Sequence, residues 1–174
     1  MRTFIALALP FLLVACAAKQ NTTASGGGDA PVASAPQAPT LGGATKADSL
    51  VITLQRTPCF GTCKAYVINV YRSGYATFEG RSHVELEGMH HTRIGQDTIA
   101  RILEDAERTG FYQFNDKYDR DVTDLPSSIM RLVANGKDKR VVARIGAPES
   151  FKLLFERAEG LLYPVVWRPM PKTE

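Results

Sequence analysis

Cysteine is scarce in this 174-residue sequence, with three in all, and tryptophan occurs once. There is little excess charge of either sign: 21 lysines and arginines against 18 aspartates and glutamates leave a formal net charge of +3. That balance is dispersed, with no basic stripe interleaved with aromatics, which excludes a nucleic-acid-binding reading. The longest apolar run, Phe4 to Val14, falls short of the roughly 20 residues that a helix needs to cross a bilayer core. A Gly-x-Ser-x-Gly elbow, a phosphate-cradling glycine loop and a His-Glu-x-x-His helix are all missing. With them go the usual sequence grounds for hydrolase, nucleotide-binding or zinc-protease chemistry, and no cofactor is expected.

What is present begins with a segregated N-terminus. Met1 and Arg2 give a cationic start, the apolar run follows, and Leu13-Val14-Ala15-Cys16 closes it. The pattern resembles the lipobox of bacterial lipoproteins. The resemblance implies that residues 1–15 are a signal peptide and that Cys16 is the lipidation site, the acylated first residue of the mature chain. Loss of Arg2 would lower the charge balance from +3 to about +2. Ala17, in place of aspartate after the cysteine, resembles lipoproteins sorted to the outer membrane. The expected location is therefore the cell envelope, lipid-anchored and facing the periplasm, with the acyl chains as the membrane contact. Residues 16–47 add Gly26-Gly27-Gly28 and prolines at 31, 36 and 39, with few bulky apolar side chains. They are expected to be a disordered tether with a reach near ~30 Å.

With Cys16 assigned to lipid, Cys59 and Cys63 are the expected disulfide, since an exported compartment permits one. A disulfide needs Cα atoms roughly 4.4–6.8 Å apart, whereas a strand would hold these ~13 Å apart, so the chain must curl at Gly61. The structural reading is a staple that fixes how two strands join. The functional reading is a thiol–disulfide redox pair. It is the weaker one, because such motifs use two intervening residues and a helix N-terminus, whereas three residues and a strand pattern stand here.

Residues 48–174 are expected to form one domain. Ser49 to Arg56 alternates as a half-buried strand, and Lys64 to Arg72 is rich in β-branched and aromatic residues. Ser73-Gly74 predicts a hairpin into Tyr75 to Glu79, and weaker extended segments are read at His83 to Leu86 and Thr92 to Ile94. Ile99, Ile102, Leu103 and Ala106 form one helical stripe, with Asp97 as N-cap and Gly110 at the C-terminus. Phe111, Tyr112 and Phe114 follow as core. Ile129 to Ala134 and Lys139 to Ile145 pair about Asn135-Gly136, and Pro148 opens a helix carrying Phe151, Leu154, Phe155 and Ala158. Trp167 would cover a core edge. The order predicts an α+β fold: an antiparallel sheet built from two hairpin groups, with two amphipathic helices packed on one face.

The run from Ile52 to Cys63, ending Cys59-Phe60-Gly61-Thr62-Cys63, resembles a bacterial domain of unknown function common in lipoproteins. In that family a strand ends at a Cys-Phe-Gly-x-Cys element and a strand of alternating apolar residues follows. Proline often comes after the second cysteine, where this chain has Lys64. Gly74, Gly80 and Thr123-Asp124-Leu125-Pro126 also match, and the resemblance covers residues 49–167. It implies a shared α+β domain and no particular activity.

Two polar groupings remain as candidate sites. His83, Glu85 and Glu87 fall on one face of the expected strand with His90 and His91 behind, and imidazoles and carboxylates can ligate zinc. Helical ligand spacing is missing and no cysteine is spare, so a solvated face is the better reading and no metal is expected. Asp116, Asp119, Asp121 and Asp124 form an acidic loop around Tyr118, suited to calcium or to acid/base hydrolysis. Counted from Asp119, the sixth position is Asp124 in place of glycine and the twelfth is Met130 in place of glutamate, which excludes an EF-hand. A capped turn before Pro126 is the plainer reading. The expectation is a lipid-tethered, non-enzymatic domain that binds or helps assemble a periplasmic protein or envelope polymer. The alternative is an envelope hydrolase or metal-binding enzyme using Asp119, Asp121, Asp124, His90 and His91. Partner contacts are expected at an unpaired strand edge or at Tyr75 and Tyr112.

Overall fold

A computed structural model describes residues 48–120 and 124–171. The signal segment, Cys16, the tether, Asp121 and Thr123 lie outside the described residues. In chain order the elements are β1 (Leu50–Arg56), β2 (Ala65–Tyr71), β3 (Tyr75–Ser82), β4 (Gly88–Arg93), α1 (Gln96–Thr109), β5 (Lys117–Tyr118), β6 (Ser128–Ala134), β7 (Lys137–Ala143), α2 (Glu149–Leu162) and β8 (Arg168–Pro169). The strands form one eight-stranded sheet in the order β5-β7-β6-β1-β2-β3-β4-β8. Its pairings are antiparallel except β5 with β7. The fold is α+β, a mostly antiparallel open sheet with two helices.

Alternation along each strand places apolar side chains in rows across the sheet. One row runs Val141, Met130, Leu54, Ile68, Phe78 and His90, each paired with the next. A second, two residues further along each strand, runs Ser128, Arg56, Tyr66 and Gly80. The helical stripes, Ile99, Ile102 and Ala106 on α1 and Phe151, Leu154, Phe155, Ala158 and Leu162 on α2, join the sheet residues in one core. Trp167 is buried against that core, its ring centroid 5.4 Å from that of Phe78.

Two local expectations need correction. The residue that caps α1 is Gly95, with no side-chain cap bond, while Asp97 sits in the first turn, where its charge suits the helix dipole. Residues 83–86 are bends, with His83 at φ 53°, and the strand instead occupies Gly88–Arg93. The reason is Gly80: a Cβ there would stand 1.8 Å from the Leu86 carbonyl oxygen, so the 83–86 segment folds down over a strand position that must lack a side chain. The two-residue edge strands β5 and β8 carry no alternation to read. Gly110 does end α1, in the left-handed conformation at φ 72° that glycine adopts without steric cost.

Candidate functional site

The row of Ser128, Arg56 and Tyr66 ends the sheet beside α2, where Glu159 extends the helix's buried stripe. Arg56 Nε and Nη2 each donate to a different Glu159 carboxylate oxygen at 2.7 Å, a bidentate pair, and Nη1 donates to Ser128 Oγ at 3.3 Å. The Tyr66 hydroxyl donates to Glu159 Oε1. Arg56 also lies 4.9 Å over the centre of the Phe155 ring. Both charged side chains are largely covered, at 29% exposure for Arg56 and 23% for Glu159.

Each partner reinforces the others' protonation state. Burial pushes the Glu159 carboxyl up, but hydrogen bonds from Arg56 and Tyr66 outweigh it and hold the group below its ordinary value. The Tyr66 phenol is pushed far above its ordinary range by burial first and then by the Glu159 charge. Arg56 is raised by its bond to Glu159. At neutral pH the cluster is one guanidinium, one carboxylate and one neutral phenol.

An open cavity of about 540 Å³ adjoins this cluster, with Cys63, Lys64, Pro126, Glu156, Tyr163 and Pro164 in its walls. A smaller one of about 280 Å³ shares Arg56, Pro126 and Glu156 and extends the groove along α2 to Phe151 and Lys152. The Lys64 ammonium sits 5.0 Å from the centre of the Tyr163 ring. That ring packs at 5.1 Å against Tyr66 and edge-on at 5.8 Å against Phe78. Among the described residues neither Lys64 nor Glu156 has an ion-pair partner.

Cys59 and Cys63 form a disulfide with Cα atoms 5.7 Å apart, within the range the bond requires. The Gly61 N–H donates to the Cys59 carbonyl at 2.9 Å and closes the curl. Phe60 stands at the tip of this loop, 93% exposed. The chain then enters β2, so a strand and not a helix follows the pair.

The remaining predicted residues do not converge. His90 and His91 are neighbours on β4, and strand alternation sends them to opposite faces. His90 is buried on the core row, edge-on to Phe78, with Nδ1 3.3 Å from the Gly88 carbonyl oxygen. His91 lies beside Tyr75 on the other face. In the acidic loop Asp116 pairs with Lys139, and Asp119 pairs with Lys117 at 3.0 Å and Arg144 at 3.5 Å. Lys117 first, then Arg144, hold the Asp119 carboxyl below its ordinary value. Asp124 is exposed. Among the described residues no three His, Cys, Asp or Glu side chains gather as a metal site. Tyr75 and Tyr112 are not open aromatic surfaces either: Tyr75 is buried, and Tyr112 is half-buried beneath the Lys137 ammonium.

A family model described as Domain of unknown function (DUF6438) matches residues 50–162. The chain belongs to that family. No curated protein matches the chain. The matched part of the DUF6438 domain contains Arg56, Lys64, Tyr66, Glu156 and Glu159, so most of the groove is built from the family domain itself.

Sequence reasoning passed over Arg56, Tyr66 and Glu159, although each left a trace. Arg56 continues the buried phase of Ile52 and Leu54, Tyr66 that of Ile68 and Val70, and Glu159 follows Phe155 by one helical turn. A charge in a buried phase needs a partner, and that was the available signal.

Proposed function

We propose that this protein is a lipid-anchored envelope lipoprotein whose DUF6438 domain binds, or helps assemble, an envelope partner without catalysing a reaction. In this reading residues 1–15 are removed, Cys16 carries the acyl chains, and residues 16–47 tether the domain to the outer membrane on its periplasmic side. The Cys-Phe-Gly-x-Cys element belongs to the bacterial lipoprotein form of the domain. The sheet is read as two hairpin groups, β1–β4 and β6–β7, with both helices against the Ile52/Leu54 face; the single core cluster supports this.

One observation carries the non-catalytic reading. A general acid or base works best with a pKa near the operating pH. In the groove Glu159 is held below its ordinary value and Tyr66 above its own, both away from neutrality. The cluster is built to stay as it is, which suits a preformed binding surface.

Affinity capture with the full-length protein from its native envelope tests this. A stoichiometric protein or polymer partner that is lost on Pro126→Arg substitution in the groove is the expected result. Absence of any partner, together with a hydrolytic activity abolished by Asp119→Asn or Asp124→Asn, would establish the enzyme instead. Thiol-exchange activity that disappears in Cys63→Ser would establish the redox protein.

A further inference from the structure

The charges around the larger cavity divide into two kinds. Arg56 and Glu159 satisfy one another, and neither can take up a ligand without stranding its partner. Lys64 and Glu156 are different: both border the same cavity, one just before β2 and one on α2, and neither makes an ion pair among the described residues, although the Lys64 charge also favours the Glu159 carboxylate. Lys64 follows the disulfide directly, and its ammonium is positioned over a ring that is itself packed against Tyr66 and Phe78. Pro126, Tyr163 and Pro164 line the same cavity as these two charges. At about 540 Å³ the cavity is within the usual size of small-ligand sites.

We propose that this cavity binds a short peptide by its two charged ends, the Lys64 ammonium taking the terminal carboxylate and the Glu156 carboxylate taking the terminal ammonium. The apolar walls accept the small side chains between. A ligand with one charge would engage one of the two groups, and an uncharged one neither. A zwitterion of peptide length answers both at once, and it does so without disturbing the Arg56–Glu159 pair. The proposal rests on reading the groove as a binding surface.

Titration calorimetry of the full chain with trialanine, N-acetyl-trialanine and trialanine amide decides it. The doubly free peptide should bind at least tenfold more tightly than either capped form. Lys64→Gln should erase discrimination against the amide alone, and Glu156→Gln that against the N-acetyl form alone. Both side chains are exposed, so both variants should fold, as circular dichroism would verify. Trialanines of L and D configuration separate protein-derived peptides from cell-wall-type ones, and binding of either supports the site. Equal affinity for free and capped peptides overturns the proposal. So does no binding of any form. If partner capture survives in that last case, the non-catalytic binding reading stands and only the peptide assignment falls.

Discussion

The domain holds two collections of charge that contrast in nearly every respect. Asp116 and Asp119 are close neighbours in sequence, yet they turn to different cations at the edge of the sheet. Arg56 and Glu159 are 103 positions apart and meet at 2.7 Å, with the Tyr66 hydroxyl closing the cluster. Proximity along the chain gathers side chains only where the backbone curls around a common point, and residues 116–120 do not. Its backbone is spent on sheet bonds, with the Val142 N–H donating to the Asp116 carbonyl and the Arg144 N–H to that of Tyr118. Strand alternation and the 3.6-residue helical period gather residues from afar instead, because every element turns one face to the same core.

The sharpest way to break the contrast is to remove Glu159. Glu159→Ala leaves the Arg56 guanidinium and the Tyr66 hydroxyl largely covered and without their acceptor. Pairs fully buried cost roughly 3–5 kcal/mol when one partner is removed, and the partial exposure here brings the expected loss to about 2–3 kcal/mol in urea unfolding. The double variant Arg56→Met/Glu159→Leu should lose less than Glu159→Ala alone, since apolar replacement removes the desolvation cost with the attraction. A double variant as unstable as the single one would mean that the pair contributes far more than its mutual satisfaction.

Next in size is the response to pH. Glu159 titrates lower in the folded chain than its ordinary 4.5, so its contribution is complete above that value and is lost as the pH falls through the lowered one. Tyr66 titrates higher than its ordinary 10.0, so its contribution is complete below that value and is lost as the pH rises towards the raised one. Stability followed across pH should therefore carry an acid arm that Glu159→Gln diminishes and an alkaline arm that Tyr66→Phe diminishes. Unchanged arms in both variants would show that the cluster's protonation is not linked to folding.

The same contrast explains what the sequence disclosed. The five long strands β1, β2, β3, β6 and β7, both helices, the Asn135-Gly136 turn and the Gly110 helix end were legible, because each rests on local periodicity or on one residue's backbone preference. The strand at Gly88–Arg93 was misplaced because its boundary depends on the Leu86 carbonyl lying over Gly80, a contact between separate segments. The disulfide was legible from cysteine number and the expected compartment. The groove was not, since its walls come from β1, β2, the turn at Pro126 and the end of α2, and nothing local joins them. What could be read was an anomaly: a charge at Arg56 in phase with Ile52 and Leu54. Such a charge is a stronger lead than four aspartates close together in sequence.

The smallest effect is expected in the acidic loop, and its smallness is informative. The Asp116 carboxylate is 82% exposed, and surface pairs of this kind are screened by salt and contribute little to stability. Asp119 is held below its ordinary value by Lys117 and Arg144, but its loss leaves both cations free to reach water. Asp116→Asn and Asp119→Asn should each shift the thermal midpoint by less than about 3 °C, and 0.5 M salt should narrow even that difference. Their affinity for the proposed partner should match that of the unaltered protein, because none of the loop's described residues lines the larger cavity. A partner lost in Asp119→Asn but retained in Pro126→Arg would reverse the contrast, placing recognition at the edge of the sheet and leaving the Arg56–Glu159 cluster as a clasp between β1 and α2.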